Sequence, residues 1–341
     1  MRWDNLRLDV RPADDRLTPP LFEQGAVVKT FDTPEFKGMT FYEVQAKSII
    51  NRVPDASYVP FRWTINPYRG CSHGCSYCFA RKTHTYLDFD YGKDFDTRIV
   101  VKVNAAERLR KELARPKWKG EHIAMGTNVD PYQRAEGRYQ LMRGILEAMR
   151  DFANPFSILT KGTLILRDLD LLMACAEVTD VATNVSVGAV DRDLWRAVEP
   201  GTPSPLKRLE ACRTLNEAGI PCGVLMAPVL PFISDTDEAL EETVRAIAEA
   251  GATHISPIVL HLRNGGAREW YMRWLREHHP NLVPAYEALY GDRAYAPKAF
   301  QDELSDRIHR LARRFGVGRR SPANARRIAP RPLNPEQLTL I

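Results

Sequence analysis

The chain has 341 residues, of which 44% are hydrophobic, and a formal net charge of +5 at pH 7. This composition is ordinary for a globular protein, and the length suits one large domain or one domain with an extension. No run approaches the roughly 18 consecutive apolar residues of a membrane helix, and the first residues lack a secretory signal. These features exclude a membrane protein and an exported protein, and they predict a cytoplasmic one.

Predicted elements begin after a poorly patterned stretch. Residues 1–59 are rich in proline and polar side chains with little periodicity, which predicts an irregular N-terminal segment. From residue 60 to 262, short apolar runs alternate with helical patterns. The predicted strands are Phe61–Ile65, His122–Gly126, Phe156–Thr160, Val181–Val187, Gly223–Ala227 and His254–Leu260. The predicted helices are Asn104–Ala114, Tyr139–Phe152, Asp168–Cys175, Pro205–Ala218 and Asp237–Ala250. This alternation predicts an α/β domain with a parallel sheet and right-handed crossovers.

Local signals mark several helix ends. Asn104 followed by Glu107 is typical of a capping box, in which the two side chains bond to backbone amides at a helix start. Gly219 and Gly251 follow helical patterns, where glycine supplies the left-handed residue after the last turn.

Residues 263–315 predict a helical C-terminal extension packed on this domain. In it, Trp270, Tyr271 and Trp274 have the spacing of one helix face, which favours packing in the core over contact with a ligand.

Three scattered cysteines, Cys175, Cys212 and Cys222, are predicted to be buried free thiols, because nothing indicates an oxidising compartment.

Residues 316–341 predict a basic, flexible tail. Nine arginines lie between Arg307 and Arg331 without an acid, so the rest of the chain has a slightly negative net charge. A basic arm of this kind either contacts nucleic-acid phosphates or remains solvated, and the sequence leaves both interpretations open.

Three cysteines, Cys71, Cys75 and Cys78, form a Cys-x3-Cys-x2-Cys pattern just after the first predicted strand. A structural zinc site is normally closed by four ligands, and a 4Fe–4S cluster is usually held by four cysteines. Three cysteines alone would leave one iron open, so the spacing favours a reactive cluster. Zinc with His73 or His84 as the fourth ligand is the alternative.

Polar clusters also follow the next three predicted strands, at residues 125–131, 160–162 and 186–188. In parallel barrels the loops at the C-terminal ends of the strands collect the functional residues. The cysteine loop and these clusters are therefore expected to meet at one rim.

The cysteine segment, with Tyr77 before the third cysteine, resembles the signature of the radical S-adenosylmethionine (radical SAM) enzymes. Residues 66–71, 126–133 and 199–201, and Arg208-Leu209 followed by Gly219-Ile220-Pro221, resemble the spore photoproduct lyase-like branch of that superfamily. The resemblance covers roughly residues 60–262. It implies a partial (β/α)6 barrel, a 4Fe–4S cluster on the three cysteines, and S-adenosyl-L-methionine as cofactor. It also implies that the cofactor is cleaved to a radical that abstracts hydrogen, with electrons from a flavodoxin or ferredoxin.

The resemblance further implies which side chains bind the cofactor. Lys161 is expected to pair with its carboxylate, and Ser186 to bond to the carboxylate or the ribose. Asp130 or Thr127 is expected to accept from its amino group, because the Gly-Gly-Glu motif of many superfamily members is missing here.

Tyr77 is expected beside the adenine, and the backbone at Ala227 is expected to face the base. Two departures from the lyase argue against thymine-dimer reversal: Lys117–Val129 contains no cysteine to return a hydrogen atom, and Phe79 stands where a tyrosine is expected. Two other functions stay open from the sequence. One is a zinc-binding adaptor; the other is a nucleic-acid-binding protein that depends on the basic tail.

Overall fold

The computed structural model describes residues 6–7, 25–55 and 59–318. Its strands are β1 (Leu6–Arg7), β2 (Val27–Lys29), β3 (Thr40–Ala46), β4 (Ile50–Arg52), β5 (Trp63–Ile65), β6 (Tyr68–Arg69), β7 (Arg98–Lys102), β8 (Ile123–Met125), β9 (Phe156–Thr160), β10 (Val181–Ser186), β11 (Cys222–Val229) and β12 (Ile255–Val259). Its α-helices are α1 (Lys93–Thr97), α2 (Ala105–Leu113), α3 (Glu136–Tyr139), α4 (Leu141–Asp151), α5 (Leu169–Ala176), α6 (Arg192–Val198), α7 (Pro205–Glu217), α8 (Asp237–Glu249), α9 (Ala267–His278), α10 (Val283–Tyr290) and α11 (Lys298–Arg314). Short 3-10 helices lie at Pro34–Phe36, Phe79–Leu87, Thr163–Asp168 and Pro280–Leu282.

The main sheet has the strand order β12-β11-β10-β9-β8-β5-β4. Neighbouring strands from β12 to β5 pair in parallel, and β4 adds an antiparallel edge strand next to β5. Helices follow the parallel strands, and the apolar side chains between helices and sheet form the largest core cluster. The predicted α/β class and parallel sheet are confirmed. Both ends of each predicted strand lie within two residues of the observed ones, and the largest differences are at the start of β5 and the end of β11.

A second sheet was not predicted. In it β3 pairs in parallel with β7 and antiparallel with β1 and β2, while β6 pairs with β7. The prediction of an irregular segment for residues 1–59 is therefore wrong over β1, β2, β3 and β4. The run Thr40–Ala46 is rich in aromatic and β-branched residues, as strands are, but its parallel partner lies far along the chain.

The helix signals had mixed outcomes. Gly219 and Gly251 have positive φ angles of 80° and 69°, as expected of residues that end helices. The capping box at Asn104 is wrong, because this side chain makes no cap hydrogen bond. Its amide instead pairs with the backbone of Ala46, accepting from the N–H (2.8 Å) and donating to the carbonyl (3.0 Å). The helix predicted over Tyr139–Phe152 is observed as α4, and Tyr139 is instead the last residue of the short helix α3.

The C-terminal extension consists of α9, α10 and α11, and α11 packs on α8 and β12. Of the three aromatic residues predicted to pack in the core, Tyr271 and Trp274 of α9 are buried and Trp270 is half-buried. The scattered cysteines Cys175, Cys212 and Cys222 are buried free thiols, also as predicted.

None of the helices that the structure describes has the length and apolar character needed to cross a bilayer. The prediction of a basic, flexible tail falls almost entirely outside the described residues, which end at 318.

Candidate active site

The cysteine loop connects β6 to the 3-10 helix Phe79–Leu87. Cys71 and Cys75 are buried, Cys78 is half-buried, and all three are free thiols. The loop needs glycine at Gly70, where φ is 78° and a Cβ atom would lie within 3.0 Å of His84 and of two backbone carbonyls. The tight turn therefore holds the three thiols in one short segment.

Two neighbouring segments fix this loop through its backbone. The Gln133 side chain donates to the carbonyl of Gly70 (3.0 Å) and accepts from the N–H of Ser72 (3.0 Å). On the other side, the N–H of Gly201 donates to the carbonyl of His73 (3.0 Å). A Cβ atom on Gly201 would come within 2.2 Å of the Ser72 carbonyl, so only glycine allows this close approach. The segments quoted for the family resemblance are thus the ones that position the cysteine loop.

A cavity of about 210 Å³ lies at the C-terminal ends of the parallel strands. Its lining contains every residue that the sequence predicted for the site: Cys71, Cys75, Tyr77, Cys78, Asp130, Lys161, Ser186 and Ala227. The structure brings these residues together from the cysteine loop and from the ends of successive strands. This is the rim that the placement of the polar clusters predicted.

Lys161 is the centre of a polar network in the cavity wall. Its Nζ atom donates to the Ser186 hydroxyl (2.6 Å) and lies 3.0 Å from a carboxylate oxygen of Glu199. The Ser186 hydroxyl donates to the carbonyl of Ala227 (2.9 Å). The Tyr77 ring lies 5.6 Å from the same ammonium group. The lysine is only slightly exposed and is held beside the cavity by groups from four parts of the chain.

Glu199, at the C-terminal end of α6, is a site residue that the sequence reasoning missed. It accepts hydrogen bonds from the Tyr77 hydroxyl and from Arg208 of α7. Burial alone would raise its pKa, but Arg208 and Lys161 hold the pKa below its ordinary value, with help from the Tyr77 hydrogen bond. Arg208 also donates to the backbone carbonyl of Ser186 (2.6 Å). The only signal in the sequence was the Glu-Pro-Gly run, which indicated the family but not the partners of the carboxylate.

Asp130 lies beside the cysteine loop, and its carboxylate accepts hydrogen bonds from neighbouring protein groups. It accepts from the Thr160 hydroxyl (2.6 Å) and from the N–H groups of Lys161 (2.6 Å) and Tyr132 (2.9 Å). His73 of the cysteine loop lies 3.4 Å from it. These contacts fix the Asp130 carboxylate against the ends of the neighbouring strands. A cofactor amino group could bind this carboxylate only in addition to the donors that it already has. The buried hydroxyl of nearby Thr127, which also lines the cavity, has no hydrogen-bond partner among the described residues.

The geometry does not favour the zinc alternative. Among the described residues, no three His, Cys, Asp or Glu side chains converge where one metal ion could be held. Of the two histidines considered as a fourth ligand, His84 bonds through Nε2 to the carbonyl of Arg98 (2.9 Å), and Nδ1 of His73 lies 3.4 Å from a carboxylate oxygen of Asp130. A closed four-ligand site is therefore not formed by this loop.

The donor set fits a larger group held by three thiolates. Burial raises the pKa of Cys71 and Cys75 as well as that of Cys78, so binding of a metal cluster must displace the thiol protons. At Cys78, Arg81 acts in the opposite direction to burial and lowers the pKa, while Asp96 raises it. The orphaned Thr127 hydroxyl and the cavity beside the thiols provide room and polar contacts for a second group.

The mouth of the cavity combines aromatic and cationic side chains. Phe79 and Tyr295 are 37% and 43% exposed, which is unusual for large apolar side chains in this chain. Arg263 lies over the Phe79 ring (5.1 Å) and donates to the Tyr295 hydroxyl (3.0 Å). His261, which lines the cavity, packs edge-on against Tyr295, and burial lowers its pKa to about 4, so its ring is neutral at neutral pH.

Comparison with known proteins gives the family. A family model described as the Radical SAM superfamily matches residues 65–247, which is more than half of the chain. An uncharacterized protein of Mycobacterium tuberculosis is 48% identical over 317 residues, 92% of this chain and 93% of that protein. An uncharacterized protein of Methanocaldococcus jannaschii is 32% identical over 203 residues, 59% of this chain and 72% of that protein.

The fold is also similar to solved structures. Spore photoproduct lyase complexed with dinucleoside spore photoproduct has a TM-score of 0.61 to this chain, at 17% sequence identity. That match covers 82% of this chain and 80% of the lyase chain. A likeness at this identity shows the fold alone. The family model shows that the chain belongs to the radical SAM superfamily, whose members use an iron–sulfur cluster and S-adenosylmethionine.

Proposed function

From this membership, we propose that Cys71, Cys75 and Cys78 hold a 4Fe–4S cluster and that the adjoining cavity binds S-adenosyl-L-methionine. When bound, the cluster and the cofactor supply an electron-driven cleavage to a 5′-deoxyadenosyl radical, which abstracts hydrogen from a substrate. The observation that supports this proposal best is that one cavity is lined both by the three free thiols and by the Lys161 network.

The chain's own residues then have distinct tasks. Lys161 is preorganised by Glu199 and Ser186, so its ammonium group can pair with the cofactor carboxylate without first being ordered. Thr127 offers an unpartnered hydroxyl to the cofactor amino group. Tyr77 is held by Glu199 beside the lysine, where its ring can cover the adenine, and the Ala227 backbone lines the same wall. The largely apolar lining of the cavity excludes water from the reacting atoms.

Two partners follow from this chemistry. Radical SAM enzymes use a reductant, and we assign that role to a flavodoxin or ferredoxin. For the substrate we propose a nucleic acid. The exposed rings of Phe79 and Tyr295 suit stacking on a base, and Arg263, which lies over the Phe79 ring, provides positive charge for a phosphate.

The reaction on that substrate differs from lyase chemistry that needs a cysteine as hydrogen donor. Among the described residues, the only cysteines that line the cavity are Cys71, Cys75 and Cys78. We therefore propose that the product radical is quenched by a group other than a cysteine of this chain's cavity.

The decisive experiment is anaerobic reconstitution of the full chain, followed by iron and sulfide analysis and by an assay of 5′-deoxyadenosine formation after reduction. We expect about four irons per chain, as a 4Fe–4S cluster requires. Cys75→Ala should lose both the cluster and the product. Cys175→Ala is the matched control, because Cys175 is equally buried but lies outside the cavity. Zinc in place of iron, or an intact cluster that never cleaves the cofactor, would overturn the proposal.

A further inference from the structure

Arg81 is a fully buried arginine three residues after the last cysteine of the loop. Its guanidinium donates to the backbone carbonyl of Cys75 (2.9 Å) and to that of Gly92 (2.8 Å). It also donates to both carboxylate oxygens of Asp96 on α1, at 2.9 and 3.1 Å. A permanently charged side chain therefore touches the backbone of a cysteine in the loop.

Aromatic rings shield this charge from water. The guanidinium lies 5.2 Å from the centre of the Phe95 ring and 4.6 Å from that of Trp270. Trp270 belongs to α9 of the C-terminal extension and packs so closely on Gly92 that a Cβ atom there would lie 2.6 Å from its ring. The extension thus closes the environment of Arg81, and a charge that is kept from water acts on its neighbours with little screening.

Asp96 brings the opposite charge to the same loop. Its side chain is 21% exposed, and its carboxylate carbon lies 3.8 Å from the position of a Cβ atom on Gly74, between Cys71 and Cys75. Arg81 and Asp96 therefore form an ion pair whose two ends both face the cysteine loop.

We propose that the Arg81–Asp96 pair sets the reduction potential of the cluster, with Arg81 raising the potential and Asp96 lowering it. The inference rests on the proposed function, because it requires a cluster on the three cysteines. Reduction adds one negative charge to the cluster. A buried positive charge next to the loop stabilises the reduced state, and a carboxylate beside the same loop destabilises it. Potentials of iron–sulfur clusters respond in this way to nearby charge and to exposure to water.

The test is a redox titration of the reconstituted full chain at pH 8, without S-adenosylmethionine, in which the reduced cluster is followed by electron paramagnetic resonance. Arg81→Gln should shift the midpoint potential to a more negative value, and Asp96→Asn should shift it to a more positive one. Arg81→Lys, which keeps the charge, should lie closer to the wild type than Arg81→Gln does.

The neighbouring pair Asp94–Arg98 provides the control. It has a similar separation (3.1 Å) on the same segment, but Arg98 is 41% exposed. Arg98→Gln should leave the potential near its wild-type value, because water and salt screen its exposed charge. Asp94 is 24% exposed, close to Asp96, so Asp94→Asn serves as the comparison for a carboxylate of similar exposure in the same helix.

The opposite signs separate an electrostatic role from a structural one. Damage to the loop would move the potentials of Arg81→Gln and Asp96→Asn in the same direction, and that result would overturn the inference. Shifts no larger than those of the control pair would overturn it as well. If Arg81→Gln does not fold, Asp96→Asn decides alone: a positive shift supports the inference, and no shift or a negative one overturns it. A wild-type chain that assembles no cluster would instead overturn the proposed function.

Discussion

Two buried carboxylates of this molecule, Glu199 and Glu136, each accept from an arginine and from a tyrosine hydroxyl, but only the network of Glu199 reaches the cavity. Glu199 is bound by Arg208, Lys161 and the Tyr77 hydroxyl in the wall of the cavity. Its network ends in a lysine that lines that cavity. The charges are therefore both paired and accessible to a ligand.

Glu136, in α3, is just as deeply buried. It accepts from Arg167 (2.7 Å) and from the backbone N–H groups of Leu141 and Met142 (3.0 Å each), as well as from the Tyr68 hydroxyl. These contacts satisfy the first amides of α4 and join it to α3. No residue of this network lines the cavity.

The comparison shows that a buried ion pair is not by itself a sign of function. Around Glu136 the contacts join α3 to the start of α4, to β6 and to the 3-10 helix that contains Arg167. Around Glu199 one cation, that of Lys161, reaches a space large enough for a ligand. Access to the cavity distinguishes the two, and the following variants test that distinction.

The largest effect on stability is expected at Glu136. Glu136→Gln leaves Arg167 paired with Asp168, but it puts an amide NH2 group where a carboxylate oxygen accepts hydrogen bonds from buried donors. It should lower the free energy of unfolding by about 3 kcal/mol. The affinity of the reconstituted protein for S-adenosylmethionine should not change. Chemical denaturation and equilibrium binding measure the two quantities. Glu107→Gln, in an exposed pair with Lys111, is the control and should change stability by less than about 1 kcal/mol. Weaker binding with unchanged stability would reverse the comparison.

The complementary effect is expected at Lys161. Lys161→Met should weaken the binding of S-adenosylmethionine about 100-fold, because it removes the cation that pairs with the cofactor carboxylate. Stability should change little, since Glu199 keeps Arg208 and Tyr77 as partners. Anaerobic equilibrium dialysis of the reconstituted protein measures the affinity, and Lys207→Met on the exposed side of α7 is the matched control. A large loss of stability with normal binding would make Lys161 a structural residue like Arg167.

Lys102 extends the comparison to a buried lysine, whose ammonium group donates to the carbonyl of Asn66 (2.8 Å). Burial lowers its pKa to about 7, with a further contribution from Arg69. Between this value and its ordinary pKa near 10.4 the unfolded chain binds more protons than the folded one, so the contribution of Lys102 to stability becomes more favourable as the pH rises.

From pH 7 to pH 9 this contribution should increase the free energy of unfolding by about 2 kcal/mol. Denaturation at both pH values measures it, as the difference between the wild type and Lys102→Met, in which the contribution is absent. If the two proteins show the same pH dependence, the lysine is not desolvated in the way its surroundings indicate.

The sequence predicted those parts of the molecule that have local patterns. Strand β9 lies where it was predicted, because its apolar run and its flanking turns are sufficient to define it. Strand β3 was missed because its parallel partner β7 becomes adjacent only in the fold. The side chain of Asn104 has the right type for a helix cap but bonds to Ala46, a preference that only tertiary structure decides.

The same limit applies to the site. The cysteines and Lys161 were predicted because each belongs to a motif next to a strand end. Glu199 was not, because its partners Tyr77, Lys161 and Arg208 come from three other parts of the chain. The Arg81–Asp96 pair escaped for that reason too: nothing in the local sequence shows that Arg81 is buried or that Trp270 covers it.

The smallest expected effect is at Thr127, where stability and binding should move in opposite directions. Its buried hydroxyl has no hydrogen-bond partner among the described residues, so the protein incurs a desolvation cost that no contact offsets. Thr127→Val has the same shape without the hydroxyl and should leave the free energy of unfolding unchanged or raise it by up to about 1 kcal/mol. Binding of S-adenosylmethionine should weaken by roughly tenfold, because one hydrogen bond to a charged group is lost.

The control is Thr83→Val, which removes a hydroxyl that donates to the Ala80 carbonyl (2.6 Å) outside the cavity. This variant should lower stability and leave binding intact. If Thr127→Val lowers stability and leaves binding unchanged, this hydroxyl belongs with the contacts of Glu136, and the cofactor amino group must bind elsewhere in the cavity.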